Sequence, residues 1–377
     1  MLSENAQLAW DTILRKPAAQ IPIWLINPME WRMIDRLAGL PEGSYRKDPV
    51  TVYRRMLERS SCCMVDQWIP KNPLTIGERG YEADTARTAT TGARGIVVDG
   101  MEITSPEDVV AHMEEHVFPE IAAEIEAARS ADGADATAAV IRSEREVQAV
   151  LGPGILKAPY SASFPILAYY TYGYVNYFMA YALYPEIVEK HFTLQADLAL
   201  LWNGFLARAM VEGGLPRYLR LDHDMADSRG TLVDIRTLDA LWFPHFARCL
   251  QPLLDADVTM IWHCDGNLMA MVPRLLECGL RGFQGFQYED GMDYRRICAM
   301  KDRDGEDLLI IAGVSVTRTL PHGTPADVRR EMAFLVEHGP KQGLFLGASS
   351  SIAPGVPWEN LQALVEGFAY YRRHGRG

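Results

Sequence analysis

Val258-Thr259-Met260-Ile261-Trp262-His263-Cys264-Asp265-Gly266-Asn267 is an apolar run that ends abruptly in an imidazole, a thiol and a carboxylate, followed at once by a Gly-Asn turn. Its first four residues read as a buried strand, because a short apolar run closed by turn residues fits a strand covered on both faces. The strand therefore delivers chemistry at its C-terminal end. Seven other stretches repeat the pattern.

Ile21-Pro22-Ile23-Trp24-Leu25-Ile26 ends at Asn27-Pro28, and Cys62-Cys63-Met64-Val65 ends at Asp66. Gly154-Ile155-Leu156-Lys157-Ala158 leads to Tyr160, and Arg217-Tyr218-Leu219-Arg220-Leu221 leads to Asp222-His223-Asp224. Gly282-Phe283-Gln284-Gly285-Phe286 ends at Gln287-Tyr288-Glu289-Asp290. Leu308-Leu309-Ile310-Ile311 runs towards Ser315, and Gly343-Leu344-Phe345-Leu346 runs towards Ser349-Ser350-Ser351. Helical stretches follow these strands, with strict strand–helix alternation in the second half of the chain. Eight such units predict an α/β TIM (β/α)8 barrel, since a parallel strand needs a crossover helix to reach its neighbour. No GxGxxG follows the first strand, which argues against a doubly wound nucleotide-binding sheet.

Around that barrel the sequence predicts an N-terminal helix over residues 4–16 and a β-hairpin insertion at about 75–104. In the insertion Thr, Val and Gly alternate with charges. Residues 105–150 are charged and Ala-rich, and the capping signal Ser105-Pro106-Glu107-Asp108 opens two or three surface helices. A long helical stretch is expected from the third strand to about residue 212. Nothing reads as a linker, so residues 1–377 are expected to form one barrel domain.

Forty-eight per cent hydrophobic and 23% charged residues suit an ordinary globular core. A net charge of −12 argues against a nucleic-acid surface, which needs a basic face. The six cysteines are scattered and lack CxxC spacing, so no disulfide framework is expected. No run of 18 apolar residues is present. The start, MLSENAQLAWDTILRK, reads as a polar amphipathic helix rather than a secretory signal, so a cytoplasmic location is expected. A homodimer remains open.

In a barrel the strand C-termini build the active site. Here they gather Asn27, Asp66, Tyr160, Asp222, Asp224, His263, Asp265, Gln287, Glu289, Ser315 and Ser349 to Ser351. Interior strand positions read as apolar by comparison, and that skew argues for an enzyme. His263 and Asp265 are two apart and point to the same side, as a metal-ligating pair or as a histidine with its carboxylate partner. A plain capped strand end is the bland alternative. Cys264 is turned away and reads as a small core residue. Asp222 and Asp224 form a carboxylate pair in which one pKa should rise towards that of a proton donor. Helical spacing would place Tyr170, Tyr174, Tyr177 and Tyr181 on one face, as an aromatic wall. Ser349 to Ser351 could form an anion-binding nest.

The order of these pieces resembles the uroporphyrinogen decarboxylase superfamily, which includes the decarboxylase and corrinoid-dependent methyltransferases. The resemblance rests on Pro22-Ile23-Trp24, Asp66, residues 222–230, WHCDGN at 262, GFQGFQYEDGMD at 282 and IAGVS at 311. LPHGTPADVRREM at 320 and SIAPGVPWENL at 351 complete it. It implies a TIM barrel. The decarboxylase proper resembles PxWxMRQAGRYLPEYR at its start, where arginines hold substrate carboxylates. This chain reads PIWLINPMEWRMIDRLAGLPEGSYR, and the first of those arginines is missing. Zinc-dependent methyltransferases of the family carry His-x-Cys-Gly and a later cysteine ligand. Here that frame reads His263-Cys264-Asp265-Gly266, and the later position falls near Ser350.

The resemblance therefore implies a methyltransferase that moves a methyl group from a small methoxylated or methylated donor to a separate corrinoid protein, an O-demethylase type. No cobalamin-binding Asp-x-His-x-x-Gly is present in this chain. Zinc on His263, Asp265 and Glu289, or an acid among Asp222, Asp224 and Glu289, would activate the leaving group. Asp66 and Tyr160 would orient the substrate, with Asn27, Tyr174, Gln287 and Ser350 contacting it. The alternative is a metal-independent decarboxylase acting on a small carboxylate through Asp66. A non-catalytic binding barrel is the third reading, and the strand-end cluster speaks against it.

Overall fold

The computed structural model describes residues 2–25, 27–76, 96–131 and 133–376. Eight parallel strands form one sheet: β1 (Ile23–Trp24), β2 (Cys62–Val65), β3 (Leu156–Lys157), β4 (Tyr218–Asp222), β5 (Thr259–His263), β6 (Gly282–Gly285), β7 (Leu309–Val314) and β8 (Leu344–Ala348). Their hydrogen-bonded order is β3-β2-β1-β8-β7-β6-β5-β4. This is the circular order of a (β/α)8 barrel, with a seam between β3 and β4 where no ladder pairs the two. All eight strands fall where the apolar runs predict them. The first and third are trimmed to two residues each.

The helix Glu4–Ile13 buries Ala6, Ala9 and Ile13. Its Asn5 Nδ2 donates to the carbonyls of Cys62 and Gly154, where β2 and the approach to β3 begin. Of the predicted insertion, the strands Ile96–Val98 and Met101–Ile103 form an antiparallel hairpin, while residues 77–95 lie outside the described residues. Ser105 caps the next helix in a full capping box with Asp108, with Pro106 in the first turn, as its sequence signal predicts.

The stretch after β3 departs from expectation. An extended segment leads to three helices, Tyr169–Tyr172, Tyr174–Leu183 and Pro185–Gly213, rather than one continuous stretch. Gly173 breaks the first pair at φ +76°, a backbone state that L side chains avoid, and Pro185 opens the third. The break changes the helical phase. Tyr177 and Tyr181 are buried, whereas Tyr170 and Tyr174 are exposed, so the four tyrosines do not form one wall.

Inward-facing positions on the strands are not uniformly apolar either. Arg220, in the middle of β4, is completely buried. Gln284 on β6 is buried beside His263, its register partner on β5.

Candidate active site at the mouth of the barrel

His263 closes β5 and pairs in register with Asp222 on β4 and Gln284 on β6. Its Nε2 lies 3.9 Å from Asp265 Oδ1, as the spacing of two predicts. Cys264 points away into the core, where Met225 N donates to its sulfur. Asp265 is held firmly: Gln287 Nε2 donates to Oδ1 at 3.0 Å and Ser350 Oγ to Oδ2 at 3.2 Å. Its own backbone N–H donates to Asp224 Oδ1 at 2.9 Å. One ligand atom each from Asp224, His263 and Asp265 lies within 4.8 Å of the others. Burial, then the Asp265 carboxylate, pushes the Asp224 carboxyl above its ordinary range.

The backbone is bent to make this fit. Gly285 sits at φ +106°, and a Cβ there would stand 3.2 Å from His263 Nδ1 and 3.0 Å from the Ser349 carbonyl. Phe286 follows at φ +77°, unusual for a bulky residue and characteristic of functional sites. This bend precedes Gln287, whose Oε1 also accepts from Gly266 N at 2.7 Å. Gln287 was expected to touch substrate. Instead it is buried, with both ends of its amide spent on the Asp265 loop, so it is a positioning residue.

The second cluster centres on Arg220, which sequence reasoning missed. Its Nε donates to Asp66 Oδ2 and its Nη1 to Asp222 Oδ2, both at 2.8 Å. The rings of Trp24 and Tyr160 flank the guanidinium, each centroid 5.1 Å away. Asp66 also accepts from Trp24 Nε1 and Gln67 N through Oδ1, so both its oxygens are occupied. Burial pushes the Asp222 carboxyl up, but His263 and then Arg220 outweigh it and hold it below its usual range. The two carboxyls of the Asp-His-Asp stretch therefore diverge, Asp224 up and Asp222 down. His223 between them is a core group: Leu167 N donates to its Nε2, and burial pulls its pKa down to about 4.

Glu289, expected among the metal ligands, is placed with β7 instead. Its Oε1 accepts from Ser315 Oγ and Thr317 Oγ1, each at 2.5 Å, while Oε2 is buried without a partner among the described residues. Asp224 takes its place beside His263 and Asp265. The expected serine nest is also spent internally, since Ser349 Oγ accepts from Val316 N and Ser350 serves Asp265. Asn27 is buried with Oδ1 unpartnered. Tyr160 donates to Asp222. Tyr174 is partly exposed and stacks at 4.7 Å on Tyr169, a residue the sequence did not single out. Tyr169 is buried and donates to the Asp224 carbonyl at 2.7 Å.

Behind this mouth, Glu331 accepts from Ser315 N at 2.6 Å, and burial raises its pKa to about 7. A carboxyl raised from about 4.5 contributes stability below pH 4.5 that is lost as pH rises through about 7. Glu331→Gln keeps an acceptor for Ser315 and removes the charge. In urea titrations it is expected to match the parent near pH 4.5 and to be more stable by about 1–2 kcal/mol at pH 8. An equal difference at both pH values would show that the charge is not the cause.

The donor set of Asp224, His263 and Asp265 is one nitrogen and two oxygens, and Gln287 and Ser350 orient the Asp265 carboxylate. Such a set fits a borderline or hard divalent ion with an open position better than a thiolate-rich zinc site. Gln287→Ala is expected to weaken zinc or cobalt(II) affinity about 10–100-fold, the usual effect of removing an outer hydrogen bond. Metal titration would read this directly, and unchanged affinity would remove Gln287 from the centre.

A parallel eight-stranded barrel with acids, an imidazole and one buried arginine at its C-terminal mouth has the layout of a (β/α)8 enzyme. The sequence matches the family Uroporphyrinogen decarboxylase (URO-D) over residues 97–369. The chain belongs to that family. A methyltransferase from Methanosarcina mazei shares the fold, with a TM-score of 0.57 and 13% identity, over 98% of this chain and 99% of that one. No curated protein matches the sequence. No helix among the described residues is long and apolar enough to cross a membrane.

Proposed function

We propose that this protein is a methyltransferase. It takes a methyl group from a small methoxylated or methylated donor and delivers it to a corrinoid carried by a separate protein. The observation that carries the reading is the Asp224–His263–Asp265 cluster at the barrel mouth, close to the acids and hydroxyls of the neighbouring strand ends.

A methyl group bound to oxygen or nitrogen is hard to transfer because the leaving group departs with the electron pair of the broken bond. The corrinoid cobalt supplies the electron pair that forms the new bond to the methyl carbon. Asp224, His263 and Asp265 would hold a divalent ion, zinc or a harder metal, which supplies a Lewis acid for the leaving atom. Glu289 is the carboxyl placed to relay a proton to a departing alkoxide or phenoxide. Ser315 and Thr317 fix one of its oxygens, and Oε2 is left without a partner among the described residues. Tyr160 and Asp222 form the substrate-facing wall, and the Arg220–Asp66 pair fixes that wall from inside the barrel.

The decarboxylase reading asks Asp66 to give a proton to a carbanion. Asp66 is buried, with both oxygens already accepting hydrogen bonds, which favours a positioning role.

The test is an anaerobic screen of methoxyarenes and methylamines with Co(I) cobalamin, followed by methylcobalamin absorbance. At least one donor should give methylcobalamin in a protein-dependent way. If every donor fails while a small carboxylate releases carbon dioxide, the protein is a lyase.

A further inference from the structure

A groove of about 360 Å³ runs from the surface to Asp222, between the segment after β3 and the long helix Pro185–Gly213. Phe164, Ile166, Leu198 and Trp202 form its apolar walls. Its polar lining is two serines and Gln195, and Gln195 Oε1 already accepts from Ile166 N. Among the described residues, Asp222 is the only ionisable one in the lining. Asp222 Oδ2 takes both Arg220 and Tyr160, which leaves Oδ1 without a hydrogen-bond partner among the described residues. Arg220 is shared with Asp66, so two carboxylates face one guanidinium. Ser161, in the lining, is held at φ +56°, a strained setting typical of ligand-contacting segments.

We propose that this groove binds a small methylated ammonium cation, with the charged head against Asp222 and the indole of Trp202 and ring of Phe164 as its walls. Aromatic faces attract such cations through their quadrupole, and the attraction grows where water is displaced. An anionic donor such as a methoxybenzoate would meet a carboxylate and, among the described residues, no cation in the lining. The volume is at the small end for ligand sites, which suits a compact head rather than a tetrapyrrole.

As a binding site the groove rests on its own geometry. As the seat of the methyl donor it rests on the transferase reading. In that role the C–N bond breaks with its pair left on nitrogen, and a neutral tertiary amine departs. The new bond takes its pair from Co(I) of the corrinoid partner. No proton is needed for the departing amine.

Binding to chelator-treated full-length protein should be measured by calorimetry with choline, with its neutral isostere 3,3-dimethyl-1-butanol, and with benzoate. Choline is expected to bind at least about tenfold more tightly than the isostere, and benzoate not at all. Trp202→Ala, at a partly exposed position, should weaken choline at least about fivefold and leave the thermal midpoint unchanged. Equal affinity for choline and the isostere, or no effect of Trp202→Ala, overturns the assignment. Choline-type binding without methyl transfer to Co(I) keeps the groove and removes the transferase reading. Demethylation of a methoxyarene without ammonium binding does the reverse.

Discussion

Arg220→Met is expected to lower the free energy of unfolding by about 3–5 kcal/mol, the cost typical of breaking a buried ion pair from one side. The guanidinium is completely buried and is the only cation hydrogen-bonded to Asp66 and Asp222 among the described residues. Without it Asp66 becomes an isolated buried charge, and Asp222 is left with Tyr160 alone. Adding Asp66→Asn to Arg220→Met should recover part of the loss, because a neutral amide no longer needs the cation. Arg220→Lys should fall between the two, since one ammonium replaces a planar fork that reaches two carboxylates at once. Urea unfolding of the three variants would read this. If Arg220→Met alone unfolds like the parent, the network is not what fixes this side of the mouth.

His263→Ala is expected to abolish retention of a divalent metal and to cut methyl transfer at least about 100-fold, more than the loss of an outer hydrogen bond. The imidazole is the only nitrogen donor in the Asp224–His263–Asp265 cluster. Its removal leaves two carboxylates 41 positions apart in sequence with no neutral ligand between them. Stability should fall by no more than about 2 kcal/mol, because the buried Nδ1 makes no hydrogen bond among the described residues and Asp222 keeps its bonds to Arg220 and Tyr160. Metal analysis of the purified variant, alongside the methylcobalamin assay, separates two cases. Loss of activity with full metal occupancy would place His263 in proton transfer instead.

The barrel was legible in the sequence because each strand is an apolar run that ends in polar residues. Period-two alternation also put His263 and Asp265 on one side and Cys264 on the other. Other features depended on contacts that no local window contains. Arg220 lies between Leu219 and Leu221 and reads as an oddity in an apolar strand, while its partner Asp66 is 154 positions away. Asp222, two residues on, was the available signal that its side chain faces the same carboxylate-rich interior. The sequence places Glu289 with His263, but the short turn Tyr288–Asp290 accompanies a pairing with Ser315 and Thr317 just past the end of the next strand. Tyr169 was lost in a tyrosine run whose helical phase Gly173 resets.

The seam between β3 and β4 has a consequence for how the chain reaches this state. The N-terminal three strands and the later five are joined in the sheet by a single ladder, β1 against β8. During synthesis β8 is the last strand to emerge, so until then both groups of strands hold open edges that can pair with other chains. The loop closed by Ile23 and Leu346 spans almost the whole polypeptide, which makes that final zipper slow to form. Chains cut before β8 are expected to expose both open edges at once, so the single β1–β8 ladder is the clasp of the ring.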